Sequence, residues 1–285
     1  MRCFILLLTG FCAFPLPVFS GGTQTFRWAG FTQTQQTPQN QYRLWLKTFS
    51  HWSEGEILQN HPCTFSSYGA AAGIDRQCGK NWLFGLAAGE NETTVKTDVS
   101  RYQTGIAGWN GMVYVRKTGS YCYVDVEGHY AQSRYKNTHT HAYQWGIAGE
   151  TGIWRDHGLG KIEPFLRLSH IGCGSQTEEE TQNMLLAGIR YSWQTTSTFS
   201  STVPRVYAGL LQEIGSSPLF QVASFGNTPA VFMLRGGQPP PSRLFLGGGF
   251  TTSMGTSLDV LLRYTAEISP HLTSHTVLLG VNCNF

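Results

Sequence analysis

From residue 42 onward one polarity pattern recurs: runs of about 8 to 14 residues in which every second side chain is apolar, separated by turn residues. Helical spacing is almost absent. In residues 142–155, Tyr143, Trp145, Ile147, Thr151 and Ile153 hold one parity, and Gln144, Gly146, Ala148, Glu150 and Gly152 the other. In residues 258–267, Leu258, Val260, Leu262 and Tyr264 alternate with Asp259, Arg263, Thr265 and Glu267, with Leu261 as the exception. In residues 184–193, Leu185, Ala187, Ile189, Tyr191 and Trp193 alternate with Leu186, Gly188, Arg190 and Ser192. The same reading along the chain predicts strands at about 42–49, 65–76, 82–90, 102–116, 121–134, 142–155, 161–171, 184–193, 203–214, 243–252, 258–267 and 273–285.

Successive side chains of a strand point to opposite sides, so each run has one apolar face and one small or polar face. A soluble sandwich would bury the apolar face, whereas a membrane barrel would turn it to lipid. The links favour the barrel. They mostly alternate long and short: roughly 15 residues, then about 5, then about 11, then the tight turn at 117–120. The longest, 215–242, carries Pro218, Pro229 and Pro239 to Pro241, and falls where a long link is due. The stretch from Trp193 to Val203 is longer than this scheme wants. At the end of the chain, Val277, Leu279, Val281, Cys283 and Phe285 share a parity against Thr276, Gly280, Asn282 and Asn284. An unpaired apolar edge of this kind invites aggregation, and closing a barrel removes it. The expected fold is therefore an all-β transmembrane antiparallel up-and-down β-barrel of about 12 strands.

Composition sharpens this. Charged residues are 13% of the 285 and Gly numbers 33, so charge is scarce and glycine abundant relative to a soluble domain. Mean hydropathy is only −0.18. Beyond the N-terminus no apolar run approaches the roughly 20 residues of a membrane-spanning helix, which rules out a helical membrane protein. A net charge of +3 with scattered Lys and Arg gives no nucleic-acid footprint. Residues 1–20 read as a secretory signal peptide, with Arg2, an apolar core from Phe4, and small residues Val18 and Ser20 before Gly21. Its removal leaves Cys63, Cys78, Cys122, Cys173 and Cys283, an odd number that cannot form a complete disulfide framework. Residues 21–41 form a Thr/Gln-rich polar linker or residual passenger, too polar to fold alone. Residues 42–285 make the barrel.

With these features in place, the chain resembles the autotransporter beta-domain, the translocator of type V secretion. The matching residues run in the family's order: Arg43 and Trp45; Tyr68, Gly69, Gly73, Ile74 and Asp75; Trp82 and Gly85. They continue with Glu150, Gly152, Pro164, Gly188 and Arg190, then Glu213, Gly248, Gly249, Tyr264, His275 and the terminal Phe285. Gln212 stands where the family often has a His before the Glu. The resemblance implies a 12-stranded outer-membrane barrel with an N-terminal segment in its lumen. It also implies insertion by the barrel assembly machinery with periplasmic chaperones, and a last strand that this machinery reads as an insertion signal through Val277, Leu279, Val281 and Phe285.

Parity assigns Asp75, Asp125, Glu127, Glu150, Glu163, Arg167, Arg190, Arg205, Glu213, Asp259, Arg263 and Glu267 to the lumen, as a polar network that either holds a threaded segment or fills the interior with ion pairs. No metal or cofactor is expected. His139 and His141 fall in an outer loop without acidic or thiolate partners, and Glu178, Glu179 and Glu180 read as an exposed loop. Tryptophans near strand ends suit interfacial girdles. Cys63 and Cys78 flank one strand and cannot bridge, Cys63 and Cys173 fall in outer loops where a bridge is open, and Cys122 and Cys283 point to lipid. His129 and Ser133 share the inward parity, but no nucleophile motif accompanies them, so no enzyme is expected. Three functions remain in order: a translocator that threads its own short N-terminal segment to the cell surface, a passenger-less pore or surface structural protein, and an outer-membrane hydrolase. The expected partner is outer-membrane lipid, and the expected state is a monomer.

Overall fold

In the computed structural model the described residues are 42–57, 61–97, 102–135, 141–158, 160–174, 179–197, 200–216, 220–224, 231–235, 242–255, 257–270 and 272–285. The leader and the polar tract, residues 1–41, lie outside them. Twelve long strands form the wall: β1 (Tyr42–Ile57), β2 (His61–Cys78), β3 (Trp82–Thr97), β4 (Tyr102–Thr118), β5 (Cys122–Tyr135), β6 (His141–Ile153), β7 (Gly160–Gly174), β8 (Glu179–Trp193), β9 (Ser200–Ser216), β10 (Ser242–Met254), β11 (Leu258–Ser269) and β12 (Leu272–Asn284). Each pairs antiparallel with its chain neighbour, and β1 closes on β12 from Arg43↔Asn284 to Gly55↔Leu272. Backbone bonds between Tyr42 and Phe285, 3.2 and 3.0 Å, extend that seam to the final residue. A closed ladder leaves no strand edge, which is why an apolar last strand is tolerated.

All strands contain 12 to 18 residues, longer than the ~9 to 11 that cross the hydrocarbon layer. The extra length corrects the sequence reading of the links. The stretch of roughly 15 residues expected after the first strand instead continues β1 to Ile57 and starts β2 at His61, so the hairpin projects beyond the membrane. The stretch between Trp193 and Val203 is likewise paired: Thr195 and Thr196 face Thr202 and Ser201 across a tight turn held by Ser197 N–H to the Ser200 carbonyl, 2.8 Å. Arg155–His157 extends β6 in the same way against β7. Glu179 and Glu180 open β8 rather than sitting in a loop; Glu178 and His139 lie outside the described residues.

Both chain ends and the tight turns share one rim. Gly79 and Gly255, at φ 63° and 65°, turn β2 into β3 and β10 into β11 in the left-handed region that a side chain disfavours. The opposite rim carries the longest link, which holds a separate hairpin of Phe220–Ser224 with Val231–Arg235 lying alongside β6 and β8.

The two sides of the wall differ as the alternation requires. Outside, Leu86, Val113, Ile147, Leu168, Ile189 and Leu210 are each half exposed or more. Side chains left half in water would each forgo about 1 kcal/mol, and a belt of them around the circumference demands an apolar surrounding. Aromatic pairs edge the belt: Tyr42 with Phe285, Trp82 with Phe84 and Tyr191 with Trp193 at the terminal rim, and Trp109 with Tyr130, Trp145 with His170 and Trp52 with His275 towards the other. From Tyr121 to Tyr130 is a rise of roughly 25 Å at the usual tilt, the height of an outer-membrane apolar band.

Inside, Leu261, the exception to its strand's alternation, is 2% exposed and belongs with Leu278 and Phe49 to the buried apolar cluster. Trp45 is also inside, 4% exposed. Cys63 and Cys173 sit in β2 and β7, not in loops, and five strand steps separate them around the wall. That spacing, roughly 20 Å across the barrel, is far beyond the ~7 Å limit for a bridged Cα pair. Cys122 is exposed on the outer wall.

Candidate functional site

The chemistry of this chain is concentrated on the inner wall. Register builds its lower half: Arg116, Asp125, Glu150 and Arg167 stand on successive strands β4 to β7 in one row. Asp125 directly faces Glu150, a pairing that repels unless cations flank it. They do. Arg116 grips Asp125 through both Nε and Nη2, each at 2.6 Å, and Arg167 pairs with Glu127. Arg190 on β8 donates from Nη1 to Glu150 at 2.9 Å, to Glu163 at 2.5 Å and to the Tyr123 hydroxyl at 2.7 Å. Tyr123 in turn donates to Glu150, and the Arg190 guanidinium lies 3.7 Å over the Phe165 ring. Each cation here neutralises acids one or two strands away, which ties the strands together laterally.

Three smaller groups complete the wall. Arg43 Nε donates to Asp75 at 2.7 Å, and the Trp45 indole N–H is shared between Asp75 at 3.1 Å and the Tyr114 hydroxyl at 3.0 Å. Tyr114 itself lies against Gly85, where any added Cβ would collide with the ring. Arg243 joins Glu267 at 2.7 Å and Glu213 at 3.9 Å. Arg263 donates to the Tyr207 hydroxyl at 2.9 Å while stacking over that ring. Arg205 and Asp259 sit half-buried on the same inner wall, on β9 and β11.

The residues named from sequence thus lie on the inner wall, with Asp75, Glu127, Glu150, Glu163, Arg167, Arg190 and Glu213 in ion pairs. Val277, Leu279 and Val281 face outward beside β1 and β11, and Phe285 is 61% exposed. Sequence reasoning missed Arg43, Lys47, Arg116 and Arg243, and the aromatic supports Trp45, Tyr114, Tyr123 and Tyr207. A signal existed: Arg116 shares the parity of Met112 and Tyr114, opposite to Val113 and Val115.

His129 and Ser133 both face inward but lie four residues apart along β5, roughly 13 Å, too far for one to take the other's proton. Among the described residues no group of three or more His, Cys, Asp or Glu could hold a metal. An apolar groove of about 510 Å³ lies along β12, β1, β2 and β3 between Leu46, Ala72, Ala88 and Leu279. It belongs to the lipid-facing wall.

A closed 12-stranded barrel with an apolar exterior and a charged interior is built to span an outer membrane. The family model for the autotransporter beta-domain matches residues 44–265. The chain belongs to this autotransporter family. Its barrel is a translocator domain of the outer membrane, and the family is one of transporters rather than enzymes. Solved structures share the fold. The translocator domain of autotransporter NalP from Neisseria meningitidis is 17% identical, with a TM-score of 0.62 over 86% of this chain and 88% of that one. The beta domain of the Bordetella autotransporter Brka is 14% identical, with a TM-score of 0.69 over 86% and 100%. The transport unit of autotransporter AIDA-I from Escherichia coli is 12% identical, with a TM-score of 0.61 over 90% and 92%. No curated protein sequence matches the chain.

Proposed function

We propose that this translocator carries the residues preceding β1 through its own lumen to the cell surface. We also propose that the barrel assembly machinery, supplied by periplasmic chaperones, inserts it by reading Val277, Leu279, Val281 and Phe285 in the last strand. One observation carries the first reading: β1 begins at the rim of the tight turns, which faces the periplasm in such barrels, so the residues before it start at the periplasmic mouth. A lumen lined with ion-paired and polar side chains suits a hydrated polypeptide better than an apolar solute. The last strand offers the assembly machinery an apolar outer face ending on an exposed aromatic ring. The tract carries no catalytic step in this reading; the barrel positions and passes it.

Protease shaving of intact cells tests the proposal. With an epitope placed within residues 21–41, loss of the epitope from the surface is expected while the barrel stays intact. An epitope that survives shaving but is digested once the outer membrane is breached would contradict it.

A further inference from the structure

The inner wall is not uniform. On β1 to β6, towards the rim away from the chain ends, it carries no Asp, Glu, Lys or Arg among the described side chains facing inward, but a belt of buried amides, hydroxyls and His129. Part of the belt satisfies itself, with the Thr93 hydroxyl bonded to Ser67 at 2.9 Å and the Asn91 amide to Thr93 at 3.3 Å. The rest does not. Ser53 Oγ, Asn91 Oδ1, Asn110 Nδ2 and both ring nitrogens of His129 are buried without a hydrogen-bond partner.

Register explains why the wall leaves them open. Asn91 stands between Gly69 and Gly108 on the flanking strands, and Asn110 between Gly89 and Ala131. His129 lies between Met112 and Gly146, its ring laid against the glycine. Neighbours without polar side chains cannot supply the missing bonds. A buried polar group left unpaired costs about 1–3 kcal/mol, and such groups are rare enough to require a partner from outside the wall. The orphaned atoms of the charged half differ, since Glu267 Oε2 and Arg167 Nε belong to groups already in ion pairs.

We propose that this neutral belt is a seat for an extended, uncharged stretch of polypeptide, and that its occupant is the chain's own segment around Thr34, Gln35 and Gln36. The inference rests on the threading reading and specifies the wall that the thread follows. Asn110 and His129 each stand eight residues above the terminal rim, roughly 20 Å after tilt. A chain leaving Tyr42 at that rim and running extended covers this height in about six to seven residues, which brings Gln35 and Gln36 level with the belt. Residues 32–41 contain no charged residue and are almost entirely Thr, Gln, Asn and Pro. Their amides supply an acceptor and two donors each, matching the mixed donors and acceptors left open on the wall. The opposite wall at this height instead carries the buried apolar Phe245 and Leu211 beside the ion pair of Arg243 and Glu267, which already satisfy each other.

Cross-linking tests the seat in the full-length protein assembled in cells, with Cys63, Cys78, Cys122, Cys173 and Cys283 changed to Ser. Gln35→Cys is combined with Asn110→Cys, and separately with Phe245→Cys on β10, six strands round the wall. After mild oxidation, a disulfide-shifted band is expected with Asn110→Cys and not with Phe245→Cys. Equal bands in both would overturn the seat while leaving threading in place. Bands in neither would overturn the seat and the threading reading together. His129→Cys, at the same height on β5, replaces Asn110→Cys if that variant fails to reach the heat-modifiable folded form, with the same expected outcome.

Discussion

The lower inner wall of β4 to β8 and the upper inner wall of β1 to β6 solve the same problem, polar groups removed from bulk water, in opposite ways. In the first, Arg190 ties Glu150, Glu163 and Tyr123 into one cluster, so the charges of that wall are neutralised from within it. In the second, Asn91 and Asn110 sit between residues that cannot reach them. Charge is kept where strands must be fastened, and neutral open valences where something else can be held. A lumen built only in the first manner would be a plug, and one built only in the second would lack lateral ties.

Substitutions sharpen that contrast. The largest effect is expected from Arg190→Met, which leaves Glu150 and Glu163 buried without their cation. Removing one partner of a buried pair costs about 3–5 kcal/mol, read as a lower temperature for loss of the folded band in SDS electrophoresis. Tyr123→Phe should cost less, about 1–3 kcal/mol, because it removes a hydroxyl from the Arg190–Glu150 cluster but leaves the ion pair. Asn110→Leu should be smallest in the barrel's own stability, within about 1 kcal/mol of neutral and of either sign, since it replaces an amide already lacking a bond. If Asn110→Leu were as damaging as Arg190→Met, the upper belt would be structural and the distinction between the two walls would fail.

Much of this was legible in the chain, and the losses have physical causes. Period-two alternation set the inward and outward faces because a membrane barrel enforces it on each strand, so Ile147 and Arg190 fall where parity puts them. Leu261 broke the pattern because a small lumen also has an apolar interior, to which Leu278 and Phe49 belong as well. Strand ends were unreadable, since Ser53 or Thr195 looks like a loop residue until its partner strand is known. Partners were unreadable for the same reason: parity places Asp125 and Glu150 inside, but only register sets them face to face between Arg116 and Arg167.

The account depends on hydrocarbon touching Ile147, Val113 and Leu210. Refolding from urea tests this directly, with circular dichroism and SDS electrophoresis on unheated samples as readouts. Dilution into detergent micelles or lipid vesicles is expected to give β structure and a shifted folded band, and dilution into plain buffer neither. A stable, folded monomer in plain buffer would contradict it.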